Sequence, residues 1–182
     1  MTVRKIVLHP HDVLREMCTP VADITDELRA ILDDMLETMY DAPGIGLAAP
    51  QIGINQRFLV MNVDRDDRED SKNEGTAFKL INPEVIWESE EVNTYDEGCL
   101  SLPGIAGDVE RPAAVKVKYL DERGDEQVLE ADGLLATCVQ HEIDHLNGVL
   151  FIDHLSRLRR SSLLRKYKKI LQSLNQDADH AL

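Results

Sequence analysis

No stretch of this chain approaches the length of a membrane-crossing helix, so a spanning helical protein is not expected. The opening residues, MTVRKIVLHPHDVL, hold neither an apolar run with a small-residue cleavage site nor an amphipathic segment rich in arginine and serine. A cytoplasmic location is therefore the expectation. Cysteine is scarce: Cys18, Cys99 and Cys138 are odd in number and widely spaced, which argues against a disulfide framework and leaves at least one free thiol. Internal repeats and Gly/Ser linkers are lacking, and 182 residues suffice for one domain with a real core. With 43% hydrophobic and 30% charged residues the composition is that of a globular protein rather than a disordered one.

Positive charge is outnumbered over most of the chain. Residues 1–153 carry 13 Lys and Arg against 32 Asp and Glu, a net charge of −19 that repels nucleic acid and gives no reason to expect DNA binding. Residues 154–176 reverse the pattern, with seven basic residues and no acid. Over Leu155 to Leu174, the apolar residues Leu163, Tyr167, Ile170, Leu171 and Leu174 fall at helical spacing, which predicts a terminal helix that packs one stripe and projects its cations from the rest. Such a segment can attract nucleic acid locally or offset the acidic body.

The remaining pattern predicts an α+β fold, with mostly antiparallel strands around a central helix and a helix near each end. Thr25-Asp26-Glu27 resembles a helix start, and Leu28, Ile31, Leu32, Met35 and Met39 share a face, giving a helix over 26–41 that ends at Ala42-Pro43-Gly44. Strands are expected over 57–63, 80–87, 92–95, 115–120 and 127–130, the last two joined by a turn at 122–125. Residues 64–75, DRDDREDSKNEG, read as a polar surface loop. Asp132 is expected to cap a helix running through Leu134, Leu135, Cys138, Val139 and Leu146 and ending at Asn147-Gly148.

On that helix lies QHEIDHLNG, residues 140–148. His141 and His145 are four residues apart and face the same way, so two imidazoles can reach one metal. Glu142 is placed to take a proton from water without ligating the metal itself. A catalytic site of this kind needs a third protein ligand. A downstream glutamate is excluded, since Glu142 is the last in the chain. The protease pattern HExxHxxGxxH is excluded as well, because Phe151 stands where the third histidine belongs. Asp153 and His154 follow at untypical spacing. Upstream, Cys99 in Glu97-Gly98-Cys99-Leu100-Ser101 is the best candidate, a thiol flanked by glycine on an exposed turn. A second small-residue segment, Gly44 to Gln51, reads either as packing or as backbone that approaches a ligand, with Gln51 offering an amide N–H to an oxyanion.

Together GIGLAAPQ, EGCLS and QHEIDHLNG resemble the three motifs of the peptide deformylases, in the family's order. The resemblance implies Cys99 as the third ligand with His141 and His145, and removal of the formyl group from the N-terminal formyl-methionine of new proteins. It further implies Glu142 as proton carrier, with the Gln51 side chain and the Leu100 N–H as oxyanion donors. Glu97 and Arg111 match an ion pair that supports the Cys99 loop. Ile45, Leu134 and Cys138 match parts of a methionine pocket, and the backbone at Gly44 and Gly46 would pair with an extended peptide. Ferrous iron is the metal implied, with Zn, Ni or Co able to occupy the same ligands. The final helix would contact the ribosome. Two other readings use the same residues: a general metallopeptidase, which the missing downstream ligand disfavours, and a structural metal site in an RNA-binding module, which would need neither Glu142 nor Gln51.

Overall fold

The computed structural model describes residues 2–64 and 76–180. Most of the charged loop expected over 64–75 lies outside the described residues. The elements run α1 (Asp26–Asp41), β1 (Gly46–Ala48), β2 (Phe58–Met61), β3 (Phe78–Glu88), β4 (Val92–Gly98), β5 (Ala106–Pro112), β6 (Ala114–Leu120), β7 (Glu126–Asp132), α2 (Gly133–Leu146) and α3 (Arg157–His180). Five strands form one antiparallel sheet in the order β1-β2-β3-β6-β7, and β4 and β5 form a separate antiparallel hairpin. The fold is α+β, as its sequence pattern predicts.

Helices cover both faces of the sheet near β2, and this explains why Phe58-Leu59-Val60-Met61 is apolar at every position. Leu59 and Met61 join Leu80, Val117 and the α2 residues Val139, Ile143 and Leu146 in one core. Phe58 and Val60 face the other way, onto Leu28, Leu32, Met35 and Met39 of α1. Thr25 caps α1, its hydroxyl accepting from the Leu28 N–H. A third core holds α3 in place: Leu163 and Tyr167 are buried with Leu102, Ile105, Val109 and Phe151. Beside it, the Gly104 turn comes so close to α3 that a Cβ there would sit 2.6 Å from Ile170 Cδ1.

Three details differ from the sequence expectation. Asp132 occupies the N-cap position of α2, but its side chain makes no capping hydrogen bond. Gly46–Ala48 is a short edge strand rather than only a packing stretch, because its backbone pairs with Leu59 to Met61. Ala106–Pro112 is also a strand, hidden in the sequence by Gly107, Pro112 and three charged residues, since one face of the hairpin is exposed. Gly148 ends α2 as expected: its φ is +73°, and a Cβ would lie 2.5 Å from the Arg15 carbonyl oxygen.

Candidate active site

The helix α2 projects His141, Glu142 and His145 toward the mouth of the β4–β5 hairpin, where Cys99 begins the turn after β4. The Cys99 sulfur and one ring nitrogen from each histidine lie within 4.8 Å of one another. The sulfur is 3.3 Å from His145 Nε2. Tetrahedral bonds of about 2.1 Å to nitrogen and 2.3 Å to sulfur would set ligand atoms roughly 3.5 Å apart, so this cluster suits a divalent metal with one ligand position open. Asp153 and His154 are engaged elsewhere: Asp153 pairs with Arg15 and Arg160, and His154 Nε2 lies 2.7 Å from Asp144. Neither belongs to the cluster.

A buried relay orients the first histidine. His141 Nδ1 sits 2.9 Å from Glu97 Oε2, so the ring donates its Nδ1–H to the carboxylate and leaves Nε2 for a metal. Arg111 grips the same carboxylate with two N–H groups, at 2.6 and 3.0 Å, and donates a third bond to Asp144 at 2.8 Å. Burial alone would raise the Glu97 carboxyl, but its bonds to His141 and Arg111 override that and hold it below the usual range. Burial also keeps His145 well below an ordinary histidine, hence neutral and able to ligate. The family resemblance points to Glu97 and Arg111 but not to Asp144, although an arginine held by a single glutamate leaves an N–H without an acceptor.

Glu142 is 4% exposed, and burial pushes its carboxyl up to about 7. Its Oε2 has no hydrogen-bond partner among the described residues. The carboxylate lies against the bare Cα of Gly46, where a Cβ would stand only 2.3 Å from Oε1. Gly46 thus makes room for the Glu142 side chain, a role its sequence context does not disclose. Across the cleft, the Ala48 N–H donates to Gln51 Oε1 at 2.9 Å and so fixes which end of the amide faces the site. Gln51 Nε2 then points at Ser101 Oγ, 3.2 Å away, and at the Cys99 sulfur, 3.5 Å away. Ser101 is a further partner that sequence reasoning does not single out.

These groups open into a cleft of about 440 Å³. Its lining includes Gly44, Ile45, Gly46, Gln51, Glu97, Cys99, Leu100, Leu134, Cys138, His141 and Glu142. All the residues expected to bind substrate therefore border one space, whereas His145 and Arg111 are not part of its lining. Tyr95, Leu102, Ile105 and Thr137 also border the cleft and carry no recognisable signal in the sequence. Cys138 is buried, and burial raises its thiol well above the usual value, leaving it an unreactive part of the wall.

Comparison with known proteins gives one answer throughout. The sequence profile of the polypeptide deformylases matches residues 3–161. A peptide deformylase of Rhizobium meliloti (strain 1021) is 53% identical over 169 residues, covering 93% of this chain and 94% of that protein. Another from Methylocella silvestris is also 53% identical, over 93% of this chain and 85% of its own length. Among solved structures, the peptide deformylase of Ehrlichia chaffeensis superposes with a TM-score of 0.86 at 41% identity, over 94% of this chain and 98% of that one. The same organism's enzyme in complex with actinonin gives 0.85 at 41% identity, over 93% and 98%. Family profile, relatives and fold agree with the residues gathered in the cleft: the chain belongs to the polypeptide deformylase family.

Proposed function

We propose that this chain is a metal-dependent hydrolase that removes the formyl group from the N-terminal formyl-methionine of newly synthesised proteins and releases formate, acting as one catalytic domain. The observation that carries the reading is the convergence of a Cys99, His141 and His145 cluster with a buried, unpaired carboxylate oxygen on Glu142. In this reading Cys99, His141 and His145 hold one divalent metal. When bound, the metal supplies Lewis acidity, which makes water nucleophilic near neutral pH and draws charge from the formyl oxygen.

The protein's own groups do the rest. Glu142 takes the proton of the attacking water as its oxygen bonds to the formyl carbon, and returns it to nitrogen as the C–N bond breaks. Gln51 Nε2 and the Leu100 N–H donate to the oxygen on which negative charge develops. Glu97 holds the His141 ring in place, and Arg111 holds Glu97. Ile45, Leu134 and Cys138 receive the methionine side chain, while the backbone at Gly44 and Gly46 pairs with the peptide.

Ferrous iron is the physiological metal in this proposal, with Zn, Ni or Co as substitutes on the same ligands. Protein reconstituted anaerobically with Fe(II) should release formate from formyl-Met-Ala faster than protein loaded with zinc. Equal rates would overturn the iron assignment, and absence of formate with either metal would overturn the function. Actinonin, present in a relative's solved structure, should compete with the peptide in the same assay.

The chain is proposed to work in the cytoplasm, near the emerging peptide; among the described residues no helix is long and apolar enough to cross a membrane. Helix α3 supplies the ribosome contact in this account, since it buries Leu163 and Tyr167 and exposes Arg165, Lys168 and Lys169. Co-sedimentation with ribosomes should weaken steeply with salt and upon reversal of those three charges. Undiminished binding by the reversed protein would leave the helix a structural role only.

A further inference from the structure

A second groove, of about 590 Å³, runs between the β4–β5 hairpin and α3. It shares Asp96, Gly104 and Ile105 with the catalytic cleft, so the two spaces adjoin. Beyond that junction its wall is α3, which contributes Arg159, Ser162 and Lys166. These residues and Leu163 recur at helical spacing, so the buried Leu163 that docks the helix fixes which cations face the groove. Arg159 and Lys166 are exposed and make no ion pair among the described residues, unlike Arg160, which is tied to Asp153.

Arg159 and Lys166, with the Ser162 hydroxyl between them, bring two unneutralised cations to one groove, and their potential favours an anion. We propose that this groove is an extended substrate subsite that binds a carboxylate side chain of the formylated peptide, several residues beyond the methionine. The proposal rests on the deformylase reading, which requires a peptide to leave the cleft. Asp96 sets the register. Its exposed carboxylate stands at the junction and repels an acid there, whereas Arg159 and Lys166 attract one farther out. A phosphate backbone suits the groove less well, because a continuous run of negative charge would have to pass Asp96.

The test is a glutamate scan. A series of formyl-Met-oligoalanine peptides carries one Glu, moved from the second position to the seventh, and kcat/KM is expressed relative to the all-alanine peptide within each protein. The expected profile falls below one at inner positions and rises to about two- to five-fold at an outer position, the scale of an exposed ion pair, fading as salt increases. The Arg159→Gln/Lys166→Gln double variant should lose the outer gain, and Asp96→Asn should lose the inner penalty. A flat profile in the parent, or an outer gain that survives in the double variant, overturns the subsite. So does a double variant that binds ribosomes less well while keeping the parent profile, since the cations would then serve RNA. A metal-loaded parent that releases no formate even from formyl-Met-Ala overturns the functional reading, and the subsite falls with it.

Discussion

Replacing Gly46 with alanine puts a methyl carbon where Glu142 already is. The added Cβ would stand 2.3 Å from Oε1, 2.8 Å from Cδ and 2.9 Å from Cγ of that side chain. Each distance is far inside van der Waals contact, so the carboxylate has to move by about an ångström. It can give way toward the cleft it borders, but doing so takes the carboxylate off its present position over Gly46. The backbone should tolerate the change, since Gly46 is not among the positive-φ glycines. The metal cluster contains neither residue. Displacing a general base by about 1 Å costs on the order of 100-fold in rate, and general acid–base groups contribute roughly 100- to 10,000-fold in all. We therefore expect Gly46→Ala to bind metal like the parent and to lose about 100-fold in kcat. Formate release and metal content, measured on one preparation, provide the check. A double-mutant cycle sharpens it: if the methyl acts through Glu142, Gly46→Ala should add little to the loss already caused by Glu142→Ala. Independent, additive losses would refute the steric argument, and so would a Gly46→Ala protein with parental kcat.

Glu142→Ala itself should retain the metal and lose at least about 100-fold in formate release, and near-parental turnover in the metal-loaded variant would remove Glu142 from the mechanism. A general base works deprotonated, so the rate should rise as pH passes upward through its pKa; burial places that near 7, and a bound cation can only lower it. A rising limb centred above pH 8 would contradict the assignment. Glu97→Gln should weaken metal binding about 10- to 100-fold, read by competition with a chelator, because the His141 ring loses its carboxylate partner. Arg111→Leu leaves Glu97 and Asp144 without their shared cation and should destabilise the fold by about 3–5 kcal/mol in urea titration, more than an exposed pair such as Lys116–Glu130 contributes.

The legible parts of this molecule are those where chemistry or periodicity repeats within a short window. His141, Glu142 and His145 sit within little more than one helical turn, and α1 and α3 show their buried stripes plainly. Cys99 is a different case: its flanking glycine marks it as the best upstream candidate, and the three-motif resemblance supplies its role as the third ligand. The structure then separates the cysteines, with Cys18 buried and its thiol raised to about 11, and Cys99 set beside two imidazoles. Strand β5 was hidden because a half-exposed hairpin needs few apolar residues. The closeness of Gly46 to Glu142, the Asp144 arm of the arginine relay and the Ser101 partner of Gln51 all join residues more than thirty positions apart. Only the folded chain brings such pairs together.

The central claim is that one thiolate and two imidazoles hold the metal on which deformylation depends. It is tested most directly by measuring bound metal per chain and formate release from formyl-Met-Ala, side by side, in the parent and in Cys99→Ser prepared under the same anaerobic conditions. The account expects about one metal per chain with formate release in the parent, and a Cys99→Ser protein that loses both after dialysis against a mild chelator. A Cys99→Ser protein that keeps its metal and deformylates as fast as the parent would contradict it.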